Sequence, residues 1–332
     1  MSELALAVFA SETGTHLVRP PQGASWRAHL RRFDERAELD HLAAAGFRFL
    51  GRSAAAFPML LRSIHDPPPG LFLRGAADAE LLSGSAVAIV GARACSGYGA
   101  SVARRLAGEL AAAGLVVVSG LARGVDAEAH RGALEAGGST VAVLGCGIDR
   151  DYPAAHAELA RRVATTGLVV SEYAPGVEPA PWRFPARNRI IAGLSGATIV
   201  IEARERSGAL ITADLALEEG REVFAVPGEI TSSLSAGANG LLKLGATPLT
   251  SAADVLASFG IEPEPIAGAG PDGAPARLLE LVREAPAGAD ELAQRVGLDA
   301  GEVARALVEL ELAGLVTAAD GFYRAAQSPG GR

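Results

Sequence analysis

The stretch "AVAIVGARACSGYGASVARRLAGELAAAGLVVVSG", Ala86–Gly120, decides the fold. A short apolar run, Ala86–Val90, passes into a glycine loop, an amphipathic helical pattern follows, and a second apolar run, Leu115–Gly120, starts the cycle again. Outward from there the cycle repeats. "TVAVLGCG" leads into "YPAAHAELARRVATTG", and then "LVVSE", "RNRIIAGLS", "ATIVIEA", "SGALITADLALEEG" and "EVFAVPG" continue it. Uninterrupted apolar strands alternating with amphipathic helices are the pattern of a parallel sheet covered on both faces, because its strands have no solvent side. The expected fold is therefore α/β: an extended Rossmann-like, doubly wound, mainly parallel sheet. Ligands of such sheets bind beyond the carboxyl ends of the strands. The loops after Gly91, Gly120, Gly145 and Glu202 are expected to converge on that edge.

The flanks divide the chain further. Residues 1–56 read as a divergent N-terminal segment, with a weak strand at "LALAVFA" and a solvated helix around "WRAHLRRFDERAELDHLAAAG"; residues 57–256 hold the Rossmann-like domain. Within it, "HDPPPGLFLRG" reads as a proline turn delivering an added edge strand. Residues 257–276, rich in Pro, Gly and Ala, read as a flexible linker. Residues 277–326 read as three short helices and a hairpin turning at Asp320-Gly321, the pattern of a small C-terminal winged helix. Its second motif helix, "DAGEVARALVELELAG", carries Glu302, Glu309 and Glu311 against Arg305. That charge balance points away from duplex reading and toward protein contact or a structural role.

The chain has 332 residues and a net charge of -8, so no dominant basic field advertises nucleic acid, and any polyanion must be held locally. No apolar run approaches the roughly 20 residues that span a bilayer, and the N-terminus lacks a secretory pattern, so a cytoplasmic protein without membrane partners is expected. Two cysteines, Cys95 and Cys146, form neither a disulfide framework nor a spaced metal cluster; they read as small buried thiols, with no metal and no cofactor implied.

Charge instead gathers in the glycine loops. Arg93, with Ser96 and Gly97 at a helix start, offers a cation beside free backbone N–H groups. Gly120 and Gly124 flank Arg123, with Asp126 reading as a helix cap and His130 as a structural histidine. In "FPARNRIIAGLSGATIVIEARERSGALITA", Arg187 and Arg189 open a helix, where the dipole disfavours cations unless an anion sits between them; the bland alternative pairs them with Glu172 and Glu202. Arg204 follows the next strand, and Arg206, Ser207 and Gly208 form a third cradle. Several cradles on one edge suit a polynucleotide better than one nucleotide. Trp182 and Phe184 beside them suit bases that are free to stack, as core packing would also suit them.

"GARACSGYG", "SGLARGVDAEAHRGALEAGG", "SEYAPG", "FPARNRIIAGLS", "RSGALITADLALEEGREVFAVPG" and "GANGLLKLGA", in that order, resemble the DNA processing protein A family, also called DprA or Smf. The resemblance implies a single-stranded DNA-binding protein, not an enzyme, that protects incoming strands. It implies dimerisation and loading of the RecA recombinase in natural transformation and homologous recombination. It places the family's pocket motifs on Arg93, on Ser119–Asp126, on Phe184–Ile191 (hence Phe184, Arg187, Asn188 and Arg189) and on Arg206–Thr212. Two departures stand out: residues 1–50 show no "PGIG"-like hairpin, and Gly237–Leu242 lacks the family's cysteine. The alternative is a nucleotide-binding phosphoribohydrolase of the lysine-decarboxylase-like fold, against which Leu215 stands where the catalytic glutamate would fall, with Asp214 adjacent.

Overall fold

The computed structural model describes residues 2–15, 17–262, 273–312, 315–319 and 321–325, and the chain forms two compact units, residues 1–263 and 264–332. The first is built on nine strands: β1 (Arg48–Gly51), β2 (Gly70–Arg74), β3 (Ala86–Val90), β4 (Val116–Ser119), β5 (Thr140–Leu144), β6 (Leu168–Ser171), β7 (Ala197–Val200), β8 (Glu222–Ala225) and β9 (Thr247–Pro248). Their order is β1-β2-β6-β5-β4-β3-β7-β8-β9. From β6 to β9 every pairing is parallel; β2 runs antiparallel to both β6 and β1. The strand after the proline turn is thus not an edge: β1 lies outside it.

Around the sheet pack α1 (Glu3–Thr13), α2 (Ala24–Arg32), α3 (Glu35–Ala44), α4 (Met59–Arg62), α5 (Gly97–Ala112), α6 (Val125–Glu135), α7 (Ala157–Thr166), α8 (Arg183–Leu194), α9 (Gly208–Glu218), α10 (Ala236–Lys243) and α11 (Ala252–Ser258). Alternation along β3 shows the two layers: Ala86, Ala88 and Val90 join the core under α8 and α9, while Val87 and Ile89 join the core under α5, α6 and α11. All five residues are buried, which is why the strand reads as a continuous apolar run. The chain winds from β3 outward to β6, returns through α8 to β7, and winds the other way to β9. The order therefore reverses between β3 and β7, the point where doubly wound sheets open a crevice at their carboxyl ends.

The expected strand at "LALAVFA" is a helix. Ser2 caps α1 by accepting from Ala5 N at 3.0 Å, and Gly14, at φ 66°, ends it. Leu4, Ala5, Leu6, Ala7, Phe9 and Ala10 are all buried, so the segment is covered on more than one side and has lost the periodicity that would have marked it. In α2 and α3 only Trp26 and Leu42 are buried, as a solvated face requires.

The second unit contains α12 (Ala274–Glu284), α13 (Ala289–Val296), α14 (Ala300–Leu312) and the antiparallel pair β10 (Val316–Ala319) and β11 (Phe322–Ala325), around a core that includes Leu278, Leu292, Leu307 and Leu310. This is a winged-helix arrangement. Half of the expected linker, residues 263–272, and Asp320 of the expected turn lie outside the described residues, while the linker's two ends fall within α11 and α12.

Candidate nucleic-acid interface

At the β3–β7 reversal the loops behind four strands meet. Ala92 N donates to Glu202 O at 2.6 Å, and Val125 N to Ala92 O at 3.2 Å, so the loops after β3 and β7 and the start of α6 are fastened to one another. Between them lies a cavity of about 390 Å³ whose wall includes Arg93, Phe184, Arg187, Arg204, Arg206 and Gly208. A second, of about 180 Å³, adjoins it and is walled by Arg93, Arg123, Gly145, Tyr152, Phe184 and Arg187. Arg93, Ala122, Phe184 and Arg187 line both. Arg93, Arg123, Arg204 and Arg206 are exposed. Among the described residues, Asp126 is the one carboxylate lining either cavity.

Arg187 and Arg189 do not open a helix. The helix starts at Arg183, four residues earlier than the sequence pattern suggests, which places both in its second turn and turns them inward. Arg187 is only 5% exposed. Its Nη1 donates to Gly120 O at 2.6 Å and to Val143 O, its Nε donates to Asn188 Oδ1 at 3.2 Å, and its Nη2 faces Asp126 Oδ2 at 3.9 Å. Burial raises the Asp126 carboxyl and lowers the Arg187 guanidinium, each opposed by the charge of the other. Arg187 thus lines both cavities while tying together the carboxyl ends of β4 and β5. Arg189 lines neither cavity: it is ion-paired with Glu172 and, at 3.1 Å, with Asp66. The pairing with Glu172 that stood as the bland alternative is the one observed, and the expectation of a free cation there is corrected.

Asn188 is buried and donates through Nδ2 to Gly208 O at 3.1 Å, tying α8 to the first turn of α9. Ser207 caps α9 by accepting from Ala209 N at 3.3 Å, and both Ser207 and Gly208 line the larger cavity.

The start of α5 differs from expectation in another way. Glu202 occupies it, accepting from Ser96 N at 2.8 Å and from Ser96 Oγ at 2.5 Å, while Ser96 Oγ accepts from Gly99 N. The anion at this helix dipole is the chain's own carboxylate. Ser96 faces a separate recess with Tyr98, Glu202 and Glu229, and Gly97 lines neither arginine-bearing cavity. Asp126 likewise makes no cap of α6; it accepts from Ala122 N at 3.3 Å in the preceding loop.

Phe184 is half-buried, with the Arg93 guanidinium 5.5 Å from its ring centroid. Trp182 is 44% exposed at the start of α8, under Arg183 at 4.8 Å, and lines neither cavity. Tyr152 is stacked on Phe184; the sequence pattern sets it at the first position of a helix, but α7 begins five residues later, at Ala157. Arg204 was visible in the sequence only as one of a group of arginines.

Burial shifts His130 and both cysteines. His130 is fully buried, bonded through Nδ1 to Thr140 Oγ1 at 2.7 Å, and burial lowers it to about 3. Cys146 is raised to about 11, first by burial, and Cys95 is raised for the same reason. In "SGALITADL", Asp214 is exposed and Leu215 packs on the core, so neither lines the cavities.

Comparison with known proteins follows the same lines. A family model described as DNA recombination-mediator protein A matches residues 48–260, and the model of the DprA winged helix domain matches residues 262–321. The chain is 49% identical over 203 residues to DNA processing protein DprA of Streptococcus pneumoniae, covering 61% of this chain and 71% of that protein. It is 40% identical over 279 residues to Protein Smf of Escherichia coli, covering 80% and 74%. The X-ray structure of DprA from S. pneumoniae superposes with a TM-score of 0.66 at 39% identity, over 77% of this chain and 93% of that one. DNA processing protein A from Helicobacter pylori, whose structure describes a single-stranded DNA binding mode, superposes with a TM-score of 0.58 at 32% identity, over 64% and 95%. The chain belongs to the DNA processing protein A family, DprA/Smf.

Proposed function

We propose that this protein binds single-stranded DNA along the arginine rim, protects the strand, and passes it to the RecA recombinase during homologous recombination and natural transformation. In this reading it is a cytoplasmic homodimer that catalyses no reaction and needs no cofactor. The observation that carries the DNA reading is the pairing state of the arginines. Arg93, Arg123, Arg204 and Arg206 surround two adjoining cavities, and among the described residues no carboxylate is in ion-pair contact with them. On the neighbouring helices, Arg104, Arg131 and Arg161 each have a glutamate. Cations left unpaired in a chain of net charge -8 await an anion from outside. Their number suits a chain of phosphates, and the aromatic pair between them suits bases that are not already stacked in a duplex. The H. pylori relative's single-stranded DNA binding mode supports the same reading. Dimerisation and the RecA hand-over rest on family membership. Among the described residues no helix is long and apolar enough to cross a membrane.

Titration with fluorescent oligonucleotides, single-stranded and duplex, tests this. With about four phosphates neutralised, log K falls against log salt with a slope of about -3, and Arg93→Ala reduces that slope by about 0.7 while weakening all sequences alike. Salt-independent binding, or duplex held as tightly as single strands, overturns the reading. Release of adenine from AMP would instead move the protein to the phosphoribohydrolases. RecA loading is read as RecA ATP hydrolysis on strands coated with single-strand binding protein, with and without this chain.

A further inference from the structure

Phe184 is the aromatic that sequence sets beside the arginines, but the more open ring belongs to its neighbour. Tyr152 lies against Phe184 with centroids 5.1 Å apart and planes at 26°, and Tyr152 is 45% exposed while Phe184 is half-buried. With Arg93 also over the Phe184 ring, two groups already occupy the surroundings of that ring. The smaller cavity is walled by this aromatic pair together with Arg93, Arg123, Pro153 and Gly145, and no carboxylate among the described residues lines it. Its volume of about 180 Å³ lies below the roughly 300 Å³ of pockets that take a whole small ligand. It has room for one flat base and not for a complete nucleotide.

Resting on the single-stranded DNA reading, we infer that the smaller cavity is a nucleobase subsite with Tyr152 as its stacking platform. The phosphate held by Arg93 sits at the wall between the cavities, and the adjoining base turns into the smaller one and extends the column Phe184–Tyr152. Phe184 then acts as a positioning residue: stacked behind Tyr152, it fixes the plane the base meets, so little side-chain freedom is lost on binding. Arg123, which also lines the smaller cavity, takes the following phosphate. Because every base has a π-face, the subsite accepts any base and requires that one be present.

The test uses the full chain and two labelled single-stranded oligonucleotides of equal length, one of thymidines and one abasic. Wild type binds the thymidine strand more tightly. Tyr152→Ala loses about tenfold on that strand, the effect of one stacked base, with the salt slope unchanged, and loses nothing on the abasic strand. Tyr152→Phe keeps wild-type affinity for both, and thermal unfolding of all three proteins is alike, since the side chain is nearly half exposed. Equal losses on both strands would make Tyr152 merely structural, no loss on either would remove it from the site, and a loss in Tyr152→Phe would assign the effect to the hydroxyl; each overturns the subsite while leaving strand binding standing. If wild type binds neither strand, the DNA reading itself falls, and the subsite with it.

Discussion

Arg93 and Arg187 share a cavity wall, yet water treats them differently. Arg93 keeps its guanidinium in solvent, where a phosphate can displace hydration at little cost. Arg187 has lost its water and donates instead to Gly120 O, Val143 O and Asn188 Oδ1. Arg189 is further committed, held between Glu172 and Asp66. Removing one member of a buried ion pair costs more than the pair contributes, because the opposite charge stays desolvated. Arg189→Ala is therefore expected to lower stability to urea by about 3–5 kcal/mol. Arg93→Ala, on the surface, stays within about 0.5 kcal/mol of wild type. Equal stability of the two variants would contradict the burial described for Arg189. The sequence pattern alone could not separate these arginines, because the distinction depends on where α8 begins. A start at Arg187 would expose them; the actual start at Arg183 sets Arg187 and Arg189 one turn deeper.

The elements themselves were legible wherever burial was symmetric. Runs such as Ala86–Val90, Thr140–Leu144 and Ala197–Val200 are buried at every position, and that leaves an unmistakable apolar signature. The N-terminal helix is illegible for a related reason, since Leu4–Ala10 is covered on more than one side and shows no single stripe. Loop anions were illegible altogether: Glu202 and Ser96 are 106 residues apart, and no local pattern announces that one fills the other's helix start. Gly99 is needed there because a Cβ would lie 2.5 Å from the Glu202 carboxylate. Gly124 joins two constraints. Its φ of 75° belongs to the left-handed region, and a Cβ would run into the Ala92 carbonyl that α6 packs against. The neighbour is backbone and cannot yield as a flexible side chain would. Gly124→Ala is expected to cost more than about 2 kcal/mol, seen as a lower Tm, and to disturb the loop carrying Arg123. An unchanged Tm would show that the loops at this edge are not fastened as described.

At the scale of the whole molecule, the candidate interface and the winged helix belong to different units. Every residue lining the two arginine-bearing cavities lies between Val90 and Leu234, inside the first unit, whose helices and sheet share their own cores. The second unit has a separate core, and its α14 exposes Glu309 and Glu311, with Glu302 half-buried, against the single Arg305. Carboxylates on that helix repel phosphates, so this unit is expected to add nothing to strand binding and to stay out of a DNA groove. Independent sites contribute additively, so a chain ending at residue 263 is expected to bind single-stranded oligonucleotides within about twofold of the full chain, with the same salt slope. The full chain is likewise expected to bind duplex DNA no better than the shortened one. A tenfold loss of single-strand affinity on shortening, with the first unit still folded by thermal unfolding, would place part of the interface in the winged helix. Retention of DNA binding, combined with loss of an activity that needs a second protein, would assign that unit to protein contact, the role its acidic helix fits best.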